Sequence, residues 1–266
     1  MRILFVGDVV GMPGRRVLRS GLAALRGTLR PDLVVANGEN SAGGSGITPA
    51  TAEEIFHAGC DVVTTGNHVL DRKEIVPYLA SHERLLRPAN YPAETPGRGS
   101  VLVTAREGTP VLVANLMGRV FMPAADDPFR TADSLLAQNA GRARDSLLDF
   151  HAEATSEKIA FCWHLDGRAS AVVGTHTHVP TADERVLPGG TASITDAGMT
   201  GPHDSVIGVE KSQALERFLT QKTVRFSTAR DDVRLQAVLI EVSPTDGRAL
   251  SIRRVEFREG NRDETS

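Results

Sequence analysis

Hydrophobic and polar positions alternate with two different periods in the first third of the chain. The apolar run Arg2–Gly7 has the length and composition of a buried strand. After Pro13 the apolar positions recur at helical spacing, at Leu18, Leu22, Leu25 and Leu29. The pattern predicts a strand followed by an amphipathic helix.

The same order returns in the next segment. Residues 33–37 and 61–65 form two more short apolar runs. Between them, Thr48 followed by Pro49 is typical of a helix N-terminus, and Gly59 is typical of a helix end. Strand and helix therefore alternate, which predicts a parallel sheet.

The middle of the chain has a different pattern. Two apolar runs at 100–104 and 110–115 flank the turn-like residues 106–109, which predicts a hairpin. A second sheet, or an antiparallel edge of the first, begins here. The segment 119–129 contains two prolines and is predicted to be a long loop.

The alternation of strands and helices then resumes. We predict helices at 132–144, 157–165 and 210–221, strands at 146–150, 169–173 and 191–195, and a closing hairpin over 235–257 turned at 245–247. The polar tail from about residue 258 is predicted to fray. Since there is no internal repeat, low-complexity block or flexible linker, residues 1–266 are predicted to form a single domain.

Composition narrows the class of protein. With 41% hydrophobic and 24% charged residues in 266, the chain is typical of globular proteins. Its formal charge of -3 provides no broad basic surface for nucleic acid or an anionic membrane. The N-terminus lacks the features of a signal peptide, no segment is long enough to span a membrane, and two cysteines are too few for a disulfide framework. We therefore expect a cytoplasmic protein.

Metal-ligating residue types follow five of the predicted strands. They are Asp8, the pair Glu39 and Asn40, the pair Asn67 and His68, then His151, and finally the pair His176 and His178. Ligands collect at the carboxyl ends of strands in open α/β sheets, so these side chains are expected to meet. If the segment around Thr177 is extended, His176 and His178 face the same side.

The chemistry of this set favours a metal site. Two carboxylates, two amides and four imidazoles form a mixed oxygen and nitrogen set, which suits iron, manganese or zinc better than calcium. The set is too large for one ion. Two metal ions about 3.5–4 Å apart, bridged by a carboxylate and a hydroxide, form the usual arrangement for in-line attack on a phosphate ester.

The order of these residues resembles that of the calcineurin-like metallophosphoesterases, which have a series of strand-end ligands around a central Gly-Asn-His. The motifs GDVVGMPGR, NGENSAGGSGIT, TTGNHVLDRKE, DFHAEATSEK and VVGTHTHVPTADE more closely resemble the bacterial 2',3'-cyclic-nucleotide 2'-phosphodiesterases. This resemblance covers nearly the whole chain. It implies a four-layer α/β/β/α sandwich of two mixed sheets.

The resemblance also implies roles for the strand-end residues. Asp8, Glu39, Asn40 and His178 would surround one metal, and Glu39, Asn67, His151 and His176 the other, with Glu39 as the bridge and iron or manganese as the metals. His68 would be the general acid. The implied reaction is attack of a metal-bridging hydroxide on a 2',3'-cyclic nucleotide, which releases a 3'-nucleotide.

Two features depart from the broad superfamily pattern and match the narrower branch. No histidine lies two positions after Asp8, and a glutamate stands where an aspartate usually bridges the metals. Whether Asn40 ligates a metal directly or lies behind the ligands stays open. Two alternatives also stay open: a phosphoesterase for another phosphoester, and a metal-bound regulatory or nucleotide-binding protein with little turnover.

Some polar residues near these motifs have weaker functional signals. The glycine-rich segment 41–46 lacks the lysine of a P-loop and is predicted to be a flexible loop near the site. Arg15 is interpreted as a surface charge, and His203 as a candidate for the mouth of the site. Arg119 is a candidate for contact with substrate or with a neighbouring subunit, and a homo-oligomer is left open.

Overall fold

The computed structural model describes residues 1–259, which contain thirteen strands and six α-helices. The strands are β1 (Arg2–Val6), β2 (Asp8–Val9), β3 (Leu33–Asn37), β4 (Val62–Thr64), β5 (Ser100–Thr104), β6 (Pro110–Met117), β7 (Asp145–His151), β8 (Ala171–Thr175), β9 (Arg185–Val186), β10 (Ala192–Ile194), β11 (Met199–Pro202), β12 (Val233–Val242) and β13 (Ala249–Arg258). The helices are α1 (Gly11–Leu29), α2 (Pro49–Ala58), α3 (Ile75–Ser81), α4 (Pro128–Asn139), α5 (Thr155–His164) and α6 (Lys211–Thr220).

The strands form two mixed sheets. The first has the order β2-β11-β12-β1-β3-β4, with β13 paired along β12; β1, β3 and β4 are parallel, and β12 is antiparallel to β1, β11 and β13. The second has the order β5-β6-β7-β8-β10-β9, with a parallel centre and an antiparallel strand at each edge. The predicted hairpin at 100–115 is confirmed, and it begins the second sheet.

The alternation of side chains along β1 explains why both faces of the first sheet are covered. In β1, Ile3 and Phe5 point into a core shared by both sheets, whereas Leu4 and Val6 point into a core shared with α1 and α2. Successive side chains of a strand point to opposite faces, so a strand that is apolar throughout must be covered on both sides. The same five-residue run thus contributes to two cores.

A third core lies on the outer face of the second sheet. Phe150 of β7 stacks on Phe161 of α5, with ring centroids 4.0 Å apart, and Ala132 of α4 joins the same cluster. Helices therefore cover the outer faces of both sheets. The predicted four-layer α/β/β/α sandwich is confirmed.

Local capping explains where α2 begins and ends. The Thr48 hydroxyl accepts a hydrogen bond from the main-chain N–H of Thr51 at 3.2 Å, and the Thr51 hydroxyl accepts one from the N–H of Thr48 at 2.9 Å. Pro49 occupies the first turn, and Gly59 ends the helix with a φ of 109°. The predicted caps are confirmed.

Other boundaries differ from the prediction. Helix α4 begins at Pro128 rather than at 132, because the Asp127 carboxylate accepts hydrogen bonds from the N–H groups of Phe129 and Arg130 at 2.9 and 3.3 Å. It ends at Asn139 rather than at 144. Helix α3 and the short strands β2, β9 and β11 were not predicted. No helix within residues 1–259 is long and apolar enough to cross a bilayer.

The end of the chain is more ordered than expected up to the last described residues. Arg258 was predicted to lie in a frayed tail, but it is the last residue of β13 and pairs with Arg234 of β12. Residues 260–266, the rest of the predicted tail, lie outside the described residues.

Candidate metal centre

The candidate ligands meet where several strands end. Asp8 begins β2, His151 is the last residue of β7, and the remaining candidates lie in loops that follow β3, β4 and β8. Parallel neighbours bring these ends to one edge of each sheet, and face-to-face packing of the two sheets brings the edges together. Topology thus gathers side chains that are far apart in sequence.

Three donor atoms surround one ring nitrogen of His151. Its Nε2 atom lies 3.0 Å from Glu39 Oε1, 3.1 Å from Asn67 Oδ1 and 3.0 Å from His176 Nδ1. One ring N–H makes one good hydrogen bond, so it cannot satisfy three partners at these distances. The ligand atoms of Glu39, His151 and His176 all lie within 4.8 Å of one another, and they form a candidate metal-binding group.

A hydrogen-bond chain behind His151 decides which nitrogen faces this group. The Thr175 hydroxyl donates to Asp149 Oδ1 at 2.7 Å, so its oxygen accepts from His151 Nδ1 at 2.9 Å. Thr64 also donates to Asp149, and all of these side chains are buried. With Nδ1 donating to Thr175, the neutral imidazole would carry its lone pair on Nε2, the nitrogen that faces the centre, as in a metal-ligating histidine.

The ionisable groups of this centre shift one another's pKa values, each in its own direction. Burial by itself would raise the pKa of Glu39, but the nearby His151 lowers it to about 2. Burial would lower the pKa of His151, but the Glu39 carboxylate and Asp8 raise it to about 9. Burial and the charge of His151 lower the pKa of His176 to about 3, which keeps that imidazole neutral and able to ligate.

Asp8, Asn40 and His178 are the candidate ligands outside the His151 group. Asp8 Oδ1 is 3.9 Å from His178 Nε2 and 4.0 Å from His151 Nδ1. Among residues 1–259, neither Asp8 Oδ1 nor Asn40 Oδ1 has a hydrogen-bond partner, although both atoms are buried. Burial raises the pKa of Asp8. Unpartnered buried oxygens are costly, and a cation would satisfy both, so these residues fit a metal ion.

The His-x-His pair does not lie in an extended segment, so that interpretation was wrong. Strand β8 ends at Thr175, and His176 and His178 have φ angles of 98° and 66°. Side chains of residues in the left-handed region do not alternate as they do in a strand. Both imidazoles still line the same cavity, because the loop turns at each of them.

A buried ion pair that sequence reasoning missed holds this loop. Asp196 Oδ2 accepts hydrogen bonds from the Thr177 N–H at 3.1 Å and from its hydroxyl at 2.6 Å. Lys158 Nζ lies 3.0 Å from the same oxygen, and both charged side chains are buried. Lys158 is the last residue of the motif DFHAEATSEK, but no signal in the sequence showed that it pairs with Asp196.

His68 lies beside the centre without joining the His151 group. Its main-chain N–H donates to Glu39 Oε2 at 3.0 Å. Its ring is half-buried, and ring atom Nδ1 lies 2.8 Å from Asp71 Oδ2. Ser45 also donates to Asp71, at 2.5 Å. The ring is thus oriented by a carboxylate, as are many histidines that transfer protons.

A cavity of about 590 Å³ opens over the centre. Glu39, Asn40, His68, His176 and His178 line it at one end. Ligand sites of this size are typical for molecules such as nucleotides. The candidate centre is therefore accessible to a small substrate.

The glycine-rich loop 41–46 lines this cavity, as expected, but it is tethered. Asn40 Nδ2 donates to the carbonyl of Gly44 at 3.1 Å, and Arg72 donates to the carbonyls of Ser45 and Ala42 at 3.2 and 3.0 Å. These bonds give the loop a defined shape beside the cavity.

The three residues with weaker functional signals in the sequence make their contacts outside the candidate ligand set. Arg15 is mostly buried, pairs with Glu54 at 2.6 Å and hydrogen-bonds the carbonyl of Ser41, so the surface interpretation was wrong. Arg119 pairs with Asp127 at 3.3 Å, and His203 hydrogen-bonds the carbonyl of Met199 at 3.0 Å. Neither Arg119 nor His203 lines the described cavity.

The whole sandwich and its centre have relatives among known proteins. Residues 4–255 match the sequence profile of a family described as YmdB-like protein. This chain belongs to the YmdB-like family. It is 48% identical, over 96% of both chains, to the 2',3'-cyclic-nucleotide 2'-phosphodiesterase of Bacillus subtilis (strain 168).

Two solved structures are similar to this YmdB-like chain over nearly their full length. A hypothetical protein from Thermus thermophilus has a TM-score of 0.91 and 44% identity, with 97% of this chain and 99% of that one covered. A novel phosphatase from Mycoplasma pneumoniae has a TM-score of 0.91 and 32% identity, with 97% and 93% covered. The four-layer fold is thus shared with these relatives.

The closeness of Gly66 to His151 leads to a prediction about metal affinity. A Cβ atom at position 66 would lie 2.2 Å from Cδ2 and 2.3 Å from Nε2 of His151, so the imidazole would have to move. We expect Gly66→Ala to weaken Mn²⁺ affinity by about 10- to 100-fold, the usual effect of disturbing the support of a ligand. Competition against a chelator measures this affinity.

Gly27→Ala is the matched control, because an added Cβ at position 27 meets no atom within 4 Å. This variant should retain wild-type affinity. If Gly66→Ala also binds Mn²⁺ as tightly as the wild type, His151 does not contribute a ligand.

Proposed function

We propose that this protein is a metal-dependent phosphodiesterase that hydrolyses 2',3'-cyclic nucleotides to 3'-nucleotides. One observation supports it above all. Donor atoms of Glu39, Asn67 and His176 all lie within 3.1 Å of His151 Nε2, and the cavity lined by Glu39 and His176 is large enough for a nucleotide. The similarity to a relative that bears this activity in its name supports the choice of substrate.

We assign the metal ligands in two sets that share Glu39. Asp8, Asn40 and His178 would hold one ion, and Asn67, His151 and His176 the other. Glu39 suits the shared position, because its Oε1 lies in the His151 group and its charge adds to the effect of burial in raising the pKa of Asp8, which belongs to the other set. Mixed carboxylate, amide and imidazole donors fit iron or manganese. When bound, the two ions would supply a nucleophile from water near neutral pH and offset the charge of the phosphate.

His68 would act on the leaving group. In a 2',3'-cyclic phosphate, attack at phosphorus breaks the bond to the 2'-oxygen, and this oxygen leaves with a negative charge. A proton from the His68 ring would neutralise it, since the ring lines the cavity and is not part of the His151 group. Asp71, hydrogen-bonded to Nδ1, would keep Nε2 directed to the substrate. The phosphate then remains on the 3'-oxygen.

The proposal is tested with protein loaded with Mn²⁺ or Fe²⁺ and supplied with 2',3'-cyclic AMP. We expect release of 3'-AMP, identified by chromatography, with loss of turnover after chelation and recovery when the metal is restored. A panel with 3',5'-cyclic AMP and p-nitrophenyl phosphate tests the other phosphoesters. A protein that is fully loaded yet hydrolyses no phosphoester would instead support a regulatory, nucleotide-binding role.

A further inference from the structure

The cavity beside the candidate metal centre is also lined by the apolar side chains of Ile207, Val209 and Phe226, which are called the apolar wall below. Ile207 is 54% and Phe226 42% exposed, although the same cavity is lined by polar and charged side chains. Large apolar side chains that face a cavity rather than the core are available to a ligand. The three side chains of the wall offer neither a metal ligand nor a titratable group.

The wall adjoins the metal centre directly. His178 Nδ1 lies 2.9 Å from the carbonyl oxygen of Ile207, and a carbonyl can only accept, so Nδ1 carries the proton. His178 Nε2 then faces Asp8 Oδ1, 3.9 Å away. One imidazole therefore connects the place proposed for the phosphate with the start of the apolar wall.

Backbone pairing holds the wall in place. The N–H of Ala229 donates to the carbonyl of Gly208 at 2.9 Å, and the N–H of Glu210 donates to the carbonyl of Ser227 at 3.0 Å. These bonds join the two segments that carry Ile207 and Phe226. A wall fixed by main-chain bonds loses little conformational entropy when a ligand binds.

Helix α6 also orients the aromatic ring. Gln213 of α6 accepts a hydrogen bond from the N–H of Ser227 at 2.7 Å. The Arg217 guanidinium lies 5.3 Å from the centroid of the Phe226 ring, within the range of a cation–π contact. The ring is thus held from the helix side, next to the cavity.

We propose that this apolar wall binds the nucleobase of the substrate by stacking on Phe226. The inference rests on the proposed function, because a 2',3'-cyclic nucleotide carries its base and its phosphate on the same ribose. With the phosphate at the metal centre, the base would extend along the cavity to the wall. Aromatic stacking needs no edge recognition and therefore accepts any base.

An unpartnered hydroxyl lies beside the wall. Thr228 Oγ1 is buried and has no hydrogen-bond partner within residues 1–259, and Thr228 lines the cavity. A buried polar atom without a partner is uncommon in native proteins. This oxygen is covered by its protein neighbours, so the base contact is assigned to the Phe226 ring and not to Thr228.

The test compares 2',3'-cyclic AMP with ribose 2',3'-cyclic phosphate, which has the reacting group but no base. We expect the wild type to prefer the nucleotide in kcat/KM. Phe226→Ala should lower this preference about tenfold or more, mainly through KM for the nucleotide, because one base stack is lost. Phe226→Trp should retain it. Phe218→Ala is the matched control, since Phe218 is 79% exposed on α6 and does not line the cavity.

The outcomes separate this inference from the proposed function. If the wild type hydrolyses both substrates with equal efficiency, or if Phe226→Ala lowers both equally, base stacking is overturned and the proposed function stands. If the metal-loaded wild type hydrolyses neither, the proposed function itself is overturned. Thermal unfolding of each variant shows whether its fold is intact.

Discussion

Replacing His68 with alanine is expected to lower kcat for 2',3'-cyclic AMP by about 10²- to 10⁴-fold, the usual contribution of a general acid. The leaving 2'-oxygen is a poor leaving group unless it is protonated. The His68 ring borders the cavity and is oriented by Asp71, whereas its link to Glu39 is made by the main chain. Alanine keeps this main-chain bond, so metal content should stay at the wild-type level.

The experiment measures steady-state rates and metal content on the same preparations. His57→Ala is the matched control, because the His57 side chain is 81% exposed on α2 and lies outside the cavity. It should have wild-type rates. If His68→Ala loses its metal together with its activity, His68 supports the metal centre and is not the general acid.

Asp71→Asn should have a smaller effect on the same step. Asparagine keeps a polar group next to His68 Nδ1 but removes the carboxylate that orients the ring at 2.8 Å. We expect a lower kcat with little change in KM. The combined variant should be no slower than His68→Ala alone, because both substitutions act on one proton transfer.

Replacing Lys158 with methionine is expected to lower the free energy of unfolding by about 3–5 kcal/mol, the typical cost of removing one partner from a buried ion pair. Asp196 would remain in the interior without its ammonium partner, because both side chains are buried and 3.0 Å apart. Methionine is similar in length and apolar, so it fills the space without creating a large cavity.

Urea unfolding followed by circular dichroism measures this loss. Lys211→Met is the control, since Lys211 pairs with Asp204 on the surface and exposed pairs contribute little. Its unfolding midpoint should match that of the wild type. A Lys158→Met protein as stable as the wild type would show that Asp196 is satisfied by its hydrogen bonds from Thr177 and Gly198 alone.

The order of strands and helices was largely predictable because it depends on local patterns, whereas the four layers were implied by the family resemblance. The apolar run of β1 required cover on both faces, and Thr48 and Gly59 marked the ends of α2. Even the meeting of the strand ends followed from a general rule for parallel sheets. Helix α4 was misplaced at its start, since the capping role of Asp127 was not recognised.

The supports of the candidate centre were not predictable in the same way. Asp196 reaches Thr177 across 19 residues and Lys158 across 38, and no local pattern signals such a pair. The burial of Arg15 depends on the loop at Ser41 and on Glu54, which only folding brings near. Such contacts are made by side chains whose neighbours are set by sheet packing.

The sequence by itself determined most of the longer elements, their order and the donor chemistry, because strand and helix periods and residue types are local properties. Only the tertiary structure decided which nitrogen of His151 faces the centre, how the His176 loop turns, and that Phe226 borders the cavity. These features depend on long-range hydrogen bonds and on the packing of two sheets against each other. Distant residues become neighbours only after those sheets form.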